Sequence, residues 1–277
     1  KYDKRLNGEN NQFSGSADWE KGYQNLRNVN YFFHYYKVPE GLESDEVLSL
    51  RGEAYFLRAY WHFYLLTRFG DIPMDGFWDD NATVAGLQKP ASKRSDVARF
   101  ILNDLKAAIG QVPEARASLF ERSKYSGLRI SKEAATILAM RVALYEGSWE
   151  KYHKGTKFAT EDNHTEFFQE VMKWGDEQFF KSKLALNTKD TDKEYVNAED
   201  AFAHLFNKKD LSQIQEAVLW KKYSVADGVF HRLGALLASG AVDGQGPSGL
   251  SKSLVDNYLN ADGTFINPKD EKYKDFN

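Results

Sequence analysis

The residues best suited to hold a ligand lie in loops. Trp78 stands beside Asp79 and Asn81 in the run Gly-Phe-Trp-Asp-Asp-Asn. Phe230, His231 and Arg232 are consecutive, and Tyr2 precedes Asn7 near the start. Each set joins a flat aromatic face to side chains that donate or accept hydrogen bonds. That combination holds a molecule with an apolar face and a polar edge. The plainer reading of each set is anchoring of its own loop.

Covalent chemistry finds no support. With no cysteine, the chain has no disulfide, thiol nucleophile or zinc–thiolate site. The six histidines (His34, His62, His153, His164, His204 and His231) form no i, i+4 pair and join no carboxylate cluster suited to a metal. His34 and His62 fall within helical patterns and read as structural. There is no phosphate-binding GxxxxGK[ST], no HExxH and no GxSxG. Gly244 to Gly249 spells GxGxxG, but Pro247 lies inside it and the preceding segment is broken by glycines, so it reads as a solvent loop. Adjacent acids such as Asp79 and Asp80 read as solvated. No catalytic residue, metal or cofactor is expected, although residues 75–81 offer oxygen ligands of the kind calcium takes.

Lysine plus arginine is 37 and aspartate plus glutamate is 40, a net charge of −3. With basic clusters no longer than pairs such as Lys208-Lys209 and Lys221-Lys222, nucleic-acid binding is not expected. Hydrophobic residues make up 42%, enough for a real core, yet no apolar run approaches the roughly 20 residues that span a membrane. Aromatics reach 14%, so some are candidates for surface platforms.

The positioning elements are helices. Trp19, Tyr23, Leu26, Asn30 and Phe33 share one face of a helix over about 18–37, with Ser16 or Asp18 to cap it. A longer helix is predicted from Ser44 to Phe69, striped by Val47, Leu50, Ala54, Leu57, Trp61 and Tyr64 or Leu65, and stopped by Gly70. Further helices are predicted over 96–110, 131–147, 165–180 and 198–206, the last two as a third pair. The second helices of the first two pairs overlay at an offset of 80, with Ala54 on Ala134 and Ala59 on Ala139. Small residues at a fixed helical place let neighbours approach closely, as in tetratricopeptide hairpins, although the spacing far exceeds their roughly 34 residues. Trp19, Trp61, Trp149 and Trp220 read as core. Beyond 210 the character shifts: residues 217–223 look β-like, a glycine-rich stretch follows, and Leu250 to Leu259 suits a short helix before an Asp262-Gly263 turn. The fold class is mainly α, irregular stacked hairpins with long loops and minor β in the last third.

Leu50 to Met74 carries the strongest signal. Glu53, Ala54, Phe56, Leu57, Arg58, Ala59, Phe63, Leu65, Phe69, Gly70, Asp71 and Pro73 match the signature helix of the SusD/RagB family, which this segment closely resembles. Three other blocks agree in order. The Trp19, Tyr23, Asn28 or Asn30 helix is one, with Leu26 where isoleucine is usual. Ala134, Ala135, Leu138, Ala139, Arg141, Leu144, Tyr145, Gly147 and Trp149 form the second. Pro247-Ser248, Leu254-Val255-Asp256, Tyr258 and Asp262-Gly263 form the third.

The resemblance implies a non-catalytic, surface-exposed, lipid-anchored nutrient-binding protein of the outer membrane. Its partners would be an oligosaccharide ligand and a SusC-like TonB-dependent transporter. Contact with the membrane would be only through a lipid anchor absent from this chain. Family motifs are scaffold and carry no ligand contact over. The family's mature proteins begin with a lipid-bearing cysteine and run longer. Residues 1–277 are therefore expected to be one partial SusD-like helical domain, lacking the anchor region and a C-terminal variable region. The alternatives are a transporter lid or peptide-binding member with little glycan affinity, or an unrelated helical-repeat adaptor or helical carbohydrate enzyme.

Overall fold

A serine immediately ahead of each of three long helices accepts one of the N–H groups that a helix start leaves unpaired. Ser16 caps α1 (Ala17–Tyr35) through the Trp19 N–H at 3.4 Å. Ser44 caps α2 (Asp45–Phe69) through Val47 at 3.3 Å, and Ser131 caps α4 (Lys132–His153) through Ala134 at 3.2 Å. The helix between them, α3 (Arg94–Ile109), follows Lys93, whose ammonium cannot accept a hydrogen bond. Its cap comes from another part of the chain: Asp71 Oδ1 accepts from the Arg94 N–H at 3.0 Å. Two further helices, α5 (His164–Trp174) and α6 (Ala201–Asn207), complete the set among the described residues.

The computed structural model describes residues 15–39, 41–74, 76, 78–81, 83, 89–115, 128–158, 161–176, 181–182, 184–187, 201–208, 210–212, 214, 216–226, 228–230, 254, 257–260 and 262–265. The chain divides into two compact units, 1–221 and 222–277. In the first, α1 packs on α2, α2 on α3, α3 on α4 and α4 on α5, so hairpins stack in chain order. In the second, the described residues form two turns. An isolated bridge joins Ser224 to Val229 and another joins Leu259 to Phe265, the latter around Asp262 and Gly263 as the turn signal predicts.

The Phe69-Gly70-Asp71-Ile72-Pro73 corner shows what a sequence motif does physically. Gly70 takes φ +75°, a conformation that costs other residues energy, and its N–H closes α2 on Leu66 O. Asp71 then caps α3. Ile72 is fully buried and pairs with Ser92, whose N–H donates to Ile72 O at 2.9 Å. The Pro73 carbonyl accepts from Tyr23 Oη at 2.8 Å, tying the corner to α1.

Close packing explains two glycines. A Cβ on Gly22 would lie 2.5 Å from Leu65 Cδ2, and one on Gly147 would lie 2.8 Å from the Phe168 ring. Gly147 is thus a contact point between α4 and α5, and α4 runs through it to His153 instead of stopping there. The offset of 80 holds in burial: Ala54 and Ala134 are each 7% exposed, Ala59 and Ala139 not at all. Leu26, Leu65, Leu66, Ile101, Leu105, Val142 and Phe167 fill the core, each contributing about 1.5–3 kcal/mol by leaving water.

Several expectations need correction. The α2 stripe turns out differently: Leu50 and Leu57 are about 40% exposed, while Arg58 and His62 are buried. Because α2 lies between α1 and α3, two faces are covered, and a charged residue can enter where a partner waits. Trp149 and Trp220 are half-buried walls of surface depressions, not core. The third pair does not form as expected, because α5 packs on α4 instead of on α6. Residues 217–223 form no strand, having no second strand to complete a ladder among the described residues. The segments 177–180, 244–249 and most of 250–259 lie outside the described residues.

Arg58 forks onto Asp104, with Nε to Oδ2 and Nη2 to Oδ1 both at 2.7 Å. Burial raises the Asp104 carboxyl above the usual carboxylate range, and the guanidinium offsets only part of that rise. Arg94 repeats the fork on Glu146 between α3 and α4, Nε to Oε1 and Nη2 to Oε2 both at 2.8 Å. Replacing Arg58 by Met alone, or Asp104 by Leu alone, strands a buried charge or acceptor and should cost about 3–5 kcal/mol; the double replacement should recover most of it. Urea unfolding of the three variants measures this, and additive losses would contradict the coupling.

His62 is fully buried, and burial lowers its pKa to about 4. The folded chain keeps the ring neutral while the unfolded chain protonates it below about pH 6.5, so stability falls as pH drops from 6.5 toward 4. The loss from this residue should be about 3 kcal/mol, read as the difference in pH dependence between the native chain and a His62→Leu variant. An identical slope in both would contradict it.

Candidate functional site

On the outer side of α1, Arg27, Tyr31 and Tyr35 stand four residues apart and so share one face. The opposite face is pinned in the core by Leu26 and Asn30, which leaves Tyr31 50% and Tyr35 52% exposed. The loop after the Pro73 corner crosses this face. Tyr23 holds the Pro73 carbonyl, and Arg58 Nη1 donates to Gly76 O at 3.2 Å. These two bonds deliver Trp78 to the two tyrosines.

Three rings then meet. Trp78 sits edge-to-face on Tyr31 with centroids 4.9 Å apart, and Tyr31 lies 4.4 Å from Tyr35. The Arg27 guanidinium lies 4.4 Å from the centroid of the Trp78 ring. Asp80 is the clamp. Its Oδ1 accepts from Trp78 Nε1 at 2.7 Å and from Tyr35 Oη at 2.5 Å, while Oδ2 lies 3.1 Å from His34 Nε2. The hydrogen bonds from Tyr35 and Trp78 hold the Asp80 carboxyl below the usual carboxylate range, and the same bond raises the Tyr35 phenol. Asp79 Oδ1 accepts from the Asn81 N–H at 2.9 Å, closing the turn.

The result is an aromatic surface of two exposed tyrosines and a half-buried Trp78, edged by Arg27, His34, Asp79 and Asn81. Its one imidazole, His34, is held by Asp80. Among the described residues, no group of three His, Cys, Asp or Glu comes together for a metal.

Of the residues expected from sequence, Trp78, Asp79 and Asn81 do share one site, although Asp79 serves the turn. Phe230 belongs to the second unit and is 71% exposed. His231, Arg232, Tyr2 and Asn7 lie outside the described residues. The sequence reading missed Tyr31, Tyr35 and Arg27 because it looked for platforms only in loops, and it took Asp80 as solvated, whereas Asp80 clamps Trp78, Tyr35 and His34. The signal was present: two tyrosines at i, i+4 off the buried stripe of their own helix.

Residues 3–144 match the model of the SusD-like family, described as starch-binding proteins associating with the outer membrane. The chain belongs to the SusD-like family. No curated protein matches it. A SusD-like carbohydrate-binding protein from Bacteroides fragilis superposes with a TM-score of 0.59 at 20% identity over 92% of this chain and 42% of that one. A structure with xylogluco-oligosaccharide has a TM-score of 0.51 at 18% identity, covering 75% and 35%. Another SusD-like protein from Bacteroides fragilis is 28% identical over 62% of this chain and 28% of that one, with a TM-score of 0.43. The chain thus spans less than half the length of each. The SusD-like match includes the whole Leu50–Pro73 block, whose Arg58 and Pro73 are the two residues that hold the Trp78 loop.

Removing the Asp80 acceptor should free Tyr35. In an Asp80→Ala variant the Tyr35 phenol should titrate at lower pH, back toward 10.0. NMR titration of ring-labelled tyrosine reads this, and an unshifted Tyr35 would show that the clamp does not form in solution.

Proposed function

We propose that this chain is the helical scaffold of a surface-exposed, lipid-anchored outer-membrane protein that binds glycans and passes oligosaccharide to a SusC-like TonB-dependent transporter. The observation that carries the binding reading is the Tyr31–Tyr35–Trp78 platform. Sugar rings present apolar C–H faces that lie on aromatic rings, while their hydroxyls meet polar side chains at the edge. Arg27 and Asn81 supply donors there, and Asp79 supplies an acceptor.

An open platform binds weakly, about mM to μM or roughly −4 to −8 kcal/mol. Weak binding suits a protein that must release its cargo to a pore. The relatives whose names mention carbohydrate or contain a xylogluco-oligosaccharide support the ligand class, and the family's description supports the outer-membrane location. The family's description as starch-binding proteins supports reading the protein as a binder and not as an enzyme. Residues 1–277 serve as one SusD-like domain of it, with Phe230, His231 and Arg232, and Tyr2 with Asn7, as secondary candidates for ligand contact.

Trp78→Ala tests this. Truncating a central aromatic should cost about 2 kcal/mol, roughly 30-fold in affinity. Native gels cast with starch, xyloglucan or laminarin should retard the unaltered chain and release the variant, with Tyr31→Ala intermediate. Retardation that survives both substitutions would remove the platform as the site. No retardation by any polysaccharide would favour a transporter lid with little glycan affinity of its own.

A further inference from the structure

A second concave feature lies where α2 ends, α3 begins and α4 ends. It is a cleft of about 370 Å³, walled by Phe69, Phe158 and Trp149, with Glu150 in its floor and Lys93 and Lys157 at its rim. That size is at the small end of ligand pockets, roughly 300–1,000 Å³, and suits one or two rings instead of a chain.

The cleft is built firmly. Trp149 is fixed between the Arg94 guanidinium and a near-parallel His153 ring, each at 4.1 Å, and its Nε1 donates to Phe158 O at 2.9 Å. Glu161 holds Lys93 and accepts from Ser95 Oγ at 3.1 Å and Asn163 Nδ2 at 3.2 Å, so Glu161 is tied to the start of α3. Phe158 is left 55% exposed.

Glu150 is only 1% exposed, and its Oε2 accepts from the Asn163 N–H. Among the described residues its Oε1 has no hydrogen-bond partner. A buried acceptor without a donor is costly, and a ligand donor would satisfy it. The charges select the class of donor. Lys93 is paired with Glu161, Arg94 with Glu146 and Arg68 with Asp18, so Lys157 alone among the described lining cations is left to hold an anion, and the Glu150 carboxylate opposes one. Lys157 makes no ion pair among the described residues, its ammonium 5.1 Å from the Phe158 ring. A neutral polyhydroxylated ring meets every demand at once: an apolar face for Phe158 and Phe69, a hydroxyl for Glu150, and oxygens for Lys157.

We infer that this cleft is a second carbohydrate site, taking a monosaccharide or the terminal residue of an oligosaccharide, separate from the open platform that meets chain interiors. It rests on the glycan reading for the class of ligand alone.

The test is NMR titration with methyl glucoside, methyl galactoside, methyl xyloside and maltose, following the Trp149 indole N–H. Saturable shifts with a Kd near mM are expected for at least one sugar, weakened about tenfold by Phe158→Ala and by Glu150→Gln and unchanged by Trp78→Ala. Phe158 is exposed, so its variant should keep the fold even if the Glu150 variant does not. No saturable shift with any of the four, or shifts untouched by Phe158→Ala, would overturn the inference. Polymer retardation lost in Trp78→Ala while the cleft stays silent leaves the platform standing alone. Sugar shifts at Trp149 without any Trp78-dependent retardation leave the cleft and remove the platform.

Discussion

Arg58 is the constraint around which the first unit is arranged. A guanidinium keeps its charge at any ordinary pH, so burying it demands a partner of matching shape. Asp104 on α3 supplies the fork, Phe33 on α1 and Phe100 on α3 supply ring faces at 4.6 and 5.2 Å, and Gly76 O takes a remaining N–H. One side chain of α2 therefore touches both neighbouring helices and the loop that carries Trp78. Such a pair adds little net stability over a well-packed apolar one, but it penalises the wrong arrangement heavily. A helix slipped by one residue would leave a bare charge inside. Arg94 and Glu146 apply the same rule between α3 and α4. A stack whose long inserts break the regular repeat spacing keeps its register through pairs that admit one geometry.

Much of this was legible in the chain itself. Ser44, Gly70 and the stop after Phe69 follow from capping and from the left-handed preference of glycine, both local effects. The recurrence of Ala54 and Ala59 at Ala134 and Ala139 carried through to burial, because close helix approach needs small residues wherever it occurs. The inner face of α2 was not legible. Counting apolar residues places Leu50 and Leu57 inside, whereas the neighbours available in space bring Arg58 and His62 there instead. An ion pair between residues 46 apart leaves no periodic trace.

The site follows the same division. Trp78 was legible as an aromatic outside any stripe. Its surroundings were not, since the clamp joins Tyr35 to Asp80 across 45 residues. Tyr31 and Tyr35 were within reach of local reasoning, because an exposed i, i+4 aromatic pair on a helix with a filled inner face has no packing role to explain it. Residues 217–223 show the converse: a strand-like pattern is a preference for pairing, and it stays unused where no neighbour offers a ladder.

The chemistry of Asp80 explains how a loop can serve as a rigid surface. Its two oxygens take Trp78 Nε1, Tyr35 Oη and His34 Nε2, so little accepting capacity is left for a ligand. The carboxylate spends itself on holding the rings in place. On the proposed reading, ligand contact falls to ring faces and edge groups, which can vary without disturbing the Arg58 frame beneath. Buried charge thus fixes the frame, and the exposed π-surface is built on top of it. On the proposed glycan reading, the determinants of preference fall on α1 and the loop after Pro73 instead of in the motif that marks the family.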